Sequence, residues 1–78
     1  MAYDLLRRAI RGLDNQGIEA RGSQIKSYMR QLDSSFNESN YGFDRFKHFL
    51  EQARQEKQVS LMQLEHGDYL VEWISKKS

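Results

Sequence analysis

Hydrophobic positions in the first half of the chain recur every three to four residues, a spacing typical of helices that bury one face. Residues 3–14 show this spacing first, and Gly17 beyond them suits the left-handed position that ends many helices. The predicted buried stripe of this helix consists of Leu6, Ala9, Ile10 and Leu13. Residues 24–33 predict a second helix, with Ser23 as its N-cap. Its predicted buried stripe consists of Ile25, Met29 and Leu32.

The most apolar stretch, residues 36–50, predicts the centre of the core. Its large apolar residues that share one helical face are Phe43, Phe46, Phe49 and Leu50. We therefore expect a third helix from Phe43 to about Glu56, opened by Gly42, with Phe36 leading into the same core. Each fully buried side chain of this size contributes about 1.5–3 kcal/mol to folding.

After Gln58 the hydrophobic period changes to the alternation typical of a β-strand. The predicted inward positions of two such strands are Val59, Leu61, Tyr69, Val71 and Trp73. Residues 65–68 predict the turn between them, in which Gly67 can take a positive φ. Met62 is interpreted as core filler, and residues 18–20 fit either a short strand or a connection.

Three helices followed by a hairpin predict an α+β fold, the winged helix-turn-helix, in which the antiparallel β-hairpin is the wing. A hairpin is not stable alone, so its inner face should cover the helices. We expect a single domain over residues 1–78 with a core at about 3–74. The tail at residues 75–78 has little to hold it.

Composition narrows the class of protein. The net charge of +1 lacks the positive excess of a general nucleic-acid binder, so any basic surface must come from local arrangement. The chain has no cysteine, which removes disulfides and thiolate metal sites. No apolar run approaches the roughly 18 residues of a membrane helix, and the N-terminus lacks the apolar segment of a signal peptide. We therefore expect a cytoplasmic protein that does not bind membranes.

Catalysis finds little support in the sequence. His48 and His66 fall in different predicted elements, and no spacing suggests a metal site. A phosphate loop, a dinucleotide-binding glycine pattern and a nucleophile elbow are all absent from the sequence. We expect a protein that is not an enzyme and that needs no metal and no cofactor.

The residues do support a binding surface on the outer faces of the second and third helices. In a helix-turn-helix the exposed side of the later helix meets nucleic acid, where basic side chains contact phosphates and polar or aromatic ones contact bases. The candidate nucleic-acid-binding residues are Arg21, Lys26, Arg30, Asn40, Tyr41, Arg45, Lys47 and His48. On the first helix, Arg7, Arg8 and Arg11 fit either a phosphate-facing patch or, as we favour, a solvated helix face.

A family resemblance is carried by residues around Gly42. The pattern consists of Ser23-Gln24-Ile25, Met29-Arg30, Phe36, Tyr41-Gly42-Phe43, Phe46 and Leu50. With the later Tyr69-Leu70-Val71, it resembles the LOTUS domain, also called OST-HTH, over about residues 3–74. Its most specific part is the Tyr-Gly-Phe step, where glycine permits a sharp turn into the third helix. The chain departs from the family by Lys26, where glycine is frequent, and by lacking a proline near Ser35.

The resemblance implies a winged-helix RNA-binding module. Family members occur beside NYN-type nuclease domains, bind G-rich and quadruplex-forming RNA, and in some cases form dimers. The partners implied are therefore G-rich RNA, a linked nuclease domain and a second copy of the chain. Members with an added C-terminal helix bind DEAD-box helicases, but no such helix fits after Trp73, so helicase binding is not expected.

Two other functions remain open at the level of the sequence. The near-neutral charge and the open outer edge of a hairpin favour a protein-interaction or homodimerisation module without RNA affinity. The third hypothesis is a winged helix that binds duplex DNA. RNA binding leads because the basic helix faces and the family resemblance both support it.

Overall fold

The structure is a computed structural model that describes residues 3–74. Three α-helices precede a two-stranded antiparallel hairpin, which confirms the predicted winged helix-turn-helix. The elements are α1 (Tyr3–Asn15), α2 (Gly22–Leu32), α3 (Phe46–Gln55), β1 (Val59–Gln63) and β2 (Tyr69–Trp73). The predicted tail at 75–78 lies outside the described residues. Within the described range, every helix is too short or too polar to cross a membrane.

The first helix matches its prediction, and its whole apolar stripe is buried. The buried residues of α1 are Leu6, Ala9, Ile10 and Leu13. Gly17 has a φ of +73°, and the N–H of Ile18 donates to the carbonyl of Leu13 at 2.9 Å, which closes the helix. The segment that follows is a connection, in which the buried Ala20 accepts a hydrogen bond from the N–H of Val71 at 2.8 Å. That bond holds the start of α2 against β2.

The second helix begins earlier and is buried over a shorter length than predicted. It starts at Gly22 with Arg21 as its N-cap residue, so the prediction of Ser23 as N-cap is wrong. The hydroxyl of Ser23 instead donates to the Asp68 carboxylate at 3.3 Å. Leu32 is 46% exposed because it is the last helical residue and extends past the core, which leaves Ile25 and Met29 as the buried stripe.

The third helix begins at Phe46, so its predicted start at Phe43 is wrong. A short 3-10 helix (Glu38–Tyr41) precedes it, and Gly42 ends that 3-10 helix with a φ of +86° instead of opening α3. A bend at residues 44–45 follows Gly42, and the backbone of the N-cap residue Arg45 is extended. Hydrogen bonds within the 3-10 helix pair the backbone groups of this segment. Helical periodicity of apolar residues does not reveal that a 3-10 helix forms here ahead of α3.

The aromatic centre of the core lies where the sequence predicted it. Phe49 is fully buried, and the ring centroids of Phe46, Phe43, Phe36 and Tyr3 lie 5.5, 5.7, 5.8 and 5.9 Å from its own. The ring of Phe43 meets Phe49 edge-on at 72°, so Phe43 contributes to the core although it lies outside α3. Such offset and edge-on pairs are the favoured aromatic geometries.

The hairpin packs its predicted inner face on the helices. Val59 and Val71 are each 1% exposed, and Leu61 is paired with Val71 in the antiparallel register. Gly67 takes the predicted positive φ in the turn. Met62 was expected in the core, but it is 59% exposed because the alternation of β1 directs it to the outer face.

Candidate nucleic-acid interface

An open cleft of about 400 Å³ lies between α2, α3 and the hairpin turn. Phe46 and Leu50 supply its apolar side, and both are largely buried. The charged and aromatic residues that line it are Lys26, Arg30, Lys47, Asp68 and Tyr69. The cleft therefore joins the second and third helices, the elements from which the sequence predicted nucleic-acid contacts.

The basic side of this cleft is formed by both helices. Lys26 and Arg30 lie one turn apart on α2, and Lys47 reaches the cleft from the first turn of α3. The Nζ atom of Lys47 lies 5.7 Å from the centre of the Tyr69 ring, within the range of a cation–π contact. Arg30 and Lys47 make no salt bridge to any residue of the described chain. Their charges are available to an anionic ligand.

Lys26 differs from the other two because it already has a charged partner. Its Nζ atom donates to Oε2 of Glu38 at 2.9 Å, and the Glu38 side chain is only 10% exposed. Burial alone would raise the pKa of Glu38, but the hydrogen bond and charge of Lys26, a backbone hydrogen bond and the charge of Arg30 together hold that pKa below its ordinary value. Lys26 thus fastens α2 to the 3-10 helix and brings little free charge to the cleft.

Asp68 supplies a negative group at the start of α2, and the sequence analysis did not identify it. Its Oδ1 accepts the N–H of Tyr69 at 2.8 Å, and its Oδ2 accepts the hydroxyl of Ser23. A Cβ atom at Gly22 would lie 3.0 Å from Oδ1, so only glycine leaves this carboxylate ample room. The position also places a negative charge beside the positive end of the α2 dipole.

The remaining predicted site residues lie around the cleft instead of lining it. Arg21, at the start of α2, pairs with Glu19 at 2.9 Å. Arg45 and His48 are exposed at the N-cap and in the first turn of α3. The structure therefore brings together Lys26, Arg30 and Lys47 in one cleft, and the other predicted residues do not line it.

The predicted base-contacting residues Asn40 and Tyr41 lie in the 3-10 helix that leads to Gly42. Tyr41 is 42% exposed, and its ring stacks on that of Phe36 with a centroid distance of 6.2 Å. One face of Tyr41 is therefore occupied by the core, and neither residue lines the cleft.

Two other features of the sequence acquire a structural interpretation. On α1, Arg7 and Arg8 both pair with Asp4 at 3.3 Å on an exposed surface, as expected of a solvated helix face. Across the described part of the chain, His, Asp and Glu side chains nowhere gather in a group of three that could hold a metal ion.

Comparison with known families identifies a match over most of the chain. The family model described as the OST-HTH/LOTUS domain matches residues 1–69, which is most of the chain. LOTUS domains are known generally as RNA-binding and protein-interaction modules and are generally non-catalytic. No curated protein and no solved structure matches the chain.

Proposed function

Since the chain belongs to the OST-HTH/LOTUS domain family, we propose that it is a non-catalytic module that binds RNA, formed by a single domain over residues 1–78. Its preferred ligand is G-rich or quadruplex-forming RNA. The module acts in the cytoplasm and holds RNA for a linked nuclease or RNA-processing domain of the NYN type. Tethering of this kind raises the effective concentration of RNA at the linked domain without new contacts.

The observation that carries this proposal is the basic cleft between α2 and α3. Arg30 and Lys47 approach it from two helices without forming a salt bridge among residues 3–74, and the aromatic ring of Tyr69 lies beside Lys47. Phosphate contacts from such cations supply most of the affinity of proteins for nucleic acids, and aromatic rings stack on unpaired bases. Arg21, Asn40, Tyr41, Arg45 and His48 extend the contact surface beyond the cleft.

Charge reversal tests this proposal. We expect Arg30→Glu combined with Lys47→Glu to abolish binding of a fluorescently labelled G-rich RNA in an anisotropy titration, because two phosphate contacts become repulsive. The matched control is Arg8→Glu with Arg11→Glu, which changes the net charge equally on the exposed face of α1. That control should still bind the RNA, with an affinity lowered only by the added negative charge of the protein. Equal losses in both variants, or retained binding in the first, would place the RNA elsewhere.

A second candidate function, homodimerisation, is favoured by the free edge of β1. In the described sheet β1 pairs only with β2, and its sequence VSLMQ carries no charge. Met62 is 59% exposed on the outer face of this strand. Uncharged edge strands are templates for pairing with another chain, and natural proteins commonly protect them with charged residues or proline.

Light scattering over a concentration series separates the two functions. A homodimerisation module would approach twice the monomer mass, and Met62→Lys would return it to a monomer whereas Met62→Leu would not. A chain that remains monomeric throughout and binds RNA would exclude self-association as its principal function.

A further inference from the structure

The cleft between α2, α3 and the hairpin turn carries a negative charge at one end and a positive charge at the other. Asp68, in the hairpin turn, lies beside the first turn of α2, where its carboxylate accepts a hydrogen bond from the Ser23 hydroxyl. Arg30 lies seven residues further along α2, a displacement of roughly 10 Å at about 1.5 Å per residue. A ligand that spans the cleft therefore meets an acceptor at one end and a cation at the other. A single nucleotide has this polarity, with hydrogen-bond donors on its base and an anion on its phosphate.

The Asp68 carboxylate retains capacity to accept hydrogen bonds from such a base. An ionised carboxylate offers about four acceptor sites, and the described residues occupy two of them, through the Tyr69 N–H and the Ser23 hydroxyl. These two bonds fix the direction of the carboxylate before any ligand binds. Pre-set orientation of this kind lowers the entropy lost on binding.

The chemistry of the four bases decides which of them suits this carboxylate. The Watson–Crick edge of guanine presents N1–H and the N2 amino group side by side, two parallel donors that match the two oxygens of a carboxylate. Adenine and cytosine each present one amino group beside a ring nitrogen acceptor, and uracil presents one N–H between two carbonyl oxygens. A carboxylate repels those acceptors, so only guanine forms a pair of bonds with it.

We propose that Asp68 is a specificity-determining residue that accepts hydrogen bonds from N1–H and N2–H of one unpaired guanine held in the cleft. The base lies against the apolar side formed by Phe46 and beside Tyr69, and its phosphate contacts Arg30 and Lys47. This inference rests on the proposed RNA-binding function and assigns to it a base-recognition site.

The proposal has a consequence for the folded state of the RNA. In a guanine quartet, N1–H and the N2 amino group already bond to the neighbouring guanine. Asp68 cannot then accept from them. The cleft should therefore prefer a guanine-containing strand that is unfolded over the same strand folded as a quadruplex.

Anisotropy titrations with short labelled strands test the proposal from the RNA side, without any change to the protein. The strands are oligouridine with guanine, inosine, adenine or cytosine at one central position. We expect the guanine strand to bind roughly tenfold more tightly than the adenine and cytosine strands. Inosine, which lacks the N2 amino group, should bind with intermediate affinity. Equal affinities for all strands would overturn the proposal.

Variants test it from the protein side. In Asp68→Asn the amide cannot accept both donors, so the preference for guanine over adenine should disappear while oligouridine binds at least as well as before. The matched control is Glu65→Gln, which removes the same charge from the same turn but does not line the cleft, and it should retain the preference. A guanine preference that persists in a folded Asp68→Asn protein would overturn the proposal.

The titrations distinguish a failure of the RNA-binding function from a failure of the role of Asp68. If no strand binds even at low salt, the RNA-binding function itself is wrong, whereas binding without guanine preference contradicts only the role of Asp68. The last titration uses a G-tract RNA, which folds as a quadruplex in potassium and unfolds in lithium. Tighter binding in lithium is expected, and tighter binding in potassium would contradict recognition of an unpaired guanine.

Discussion

The contact between Lys26 and Glu38 shows at the level of single residues what the sequence does not reveal. Lys26 was predicted as a phosphate contact from its place on the outer face of α2. The structure instead joins it to a glutamate twelve residues later, which is buried although it lies in a polar loop. No periodicity marks Glu38, because its burial depends on how the 3-10 helix folds back on α2. Tertiary contacts of this kind decide which cations remain free.

We expect Glu38→Gln to lower the free energy of unfolding at pH 7 by about 1.5 kcal/mol, the lower end for a hydrogen bond to a charged group, because Lys26 stays partly solvated. The folded state holds the pKa of Glu38 below its ordinary value of 4.5, so the carboxylate stabilises the fold above that pH. This contribution is lost as the pH falls through the lowered pKa. Urea unfolding of both proteins between pH 7 and pH 3 measures it.

The difference in stability between the two proteins should therefore narrow below about pH 4.5. Glu65→Gln, at an exposed glutamate of the hairpin turn, is the control and should leave stability almost unchanged. A gap between the native protein and Glu38→Gln that is constant over the whole pH range would show that charge does not stabilise this contact.

The ring of Tyr28 on α2 packs against α1 at Gly12. Among the described glycines, Gly12 leaves the least room for an added side chain. A Cβ atom there would lie 2.4 Å from the Tyr28 hydroxyl oxygen and 2.5 Å from Cζ. Gly12→Ala should destabilise the protein by about 1 kcal/mol, because overpacking outweighs the better helix propensity of alanine.

In a Tyr28→Ala background the same change should stabilise the protein, since only the propensity gain of roughly 0.5–1 kcal/mol remains. Thermal melting of the four proteins of this double-mutant cycle gives the coupling. The same sign of effect in both backgrounds would contradict the close approach of the tyrosine ring.

At the level of elements, the hydrophobic period predicts each α-helix and both strands, but it places the start of α3 three residues too early. Phe43 has helical spacing to Phe46 and packs against the same core, so the pattern of burial is the same for a helix and for the non-helical segment observed. What differs is local bonding. Asn37 caps the 3-10 helix through the N–H of Ser39, and Gly42 adopts a left-handed conformation after it.

Gly42→Ala tests this account of the junction. Apart from Gly42 and its two chain neighbours, no described residue has an atom within 4 Å of the added Cβ, so the cost comes from the φ of +86°. We expect a loss of about 1 kcal/mol in the free energy of unfolding. Gly42→Asn, which tolerates left-handed backbone better, should lose less. Equal losses in urea titrations would indicate that conformational strain is not the cause.

For the molecule as a whole, the fold was predictable because one continuous apolar pattern specifies it, whereas the site was predictable only in part. Arg30 and Lys47 are predicted from their exposed helical positions, and the structure places both in the lining of one cleft. Asp68 was missed because it lies in a hairpin turn, and only the packing of the wing against the start of α2 brings it to the same place. The spacing of residues in the sequence does not predict that contact between the hairpin turn and α2.

The salt dependence of binding tests most directly whether this cleft binds RNA through phosphate contacts. The two free cations of the cleft and a partly neutralised Lys26 should contribute roughly −1.5 to −2 to the slope of log K against log salt for single-stranded RNA, and any phosphate contact of Arg21 or Arg45 makes the slope steeper. Removal of one cation by Arg30→Gln should reduce the magnitude of the slope by about 0.7. A slope near zero, or an unchanged slope in Arg30→Gln, would contradict the account.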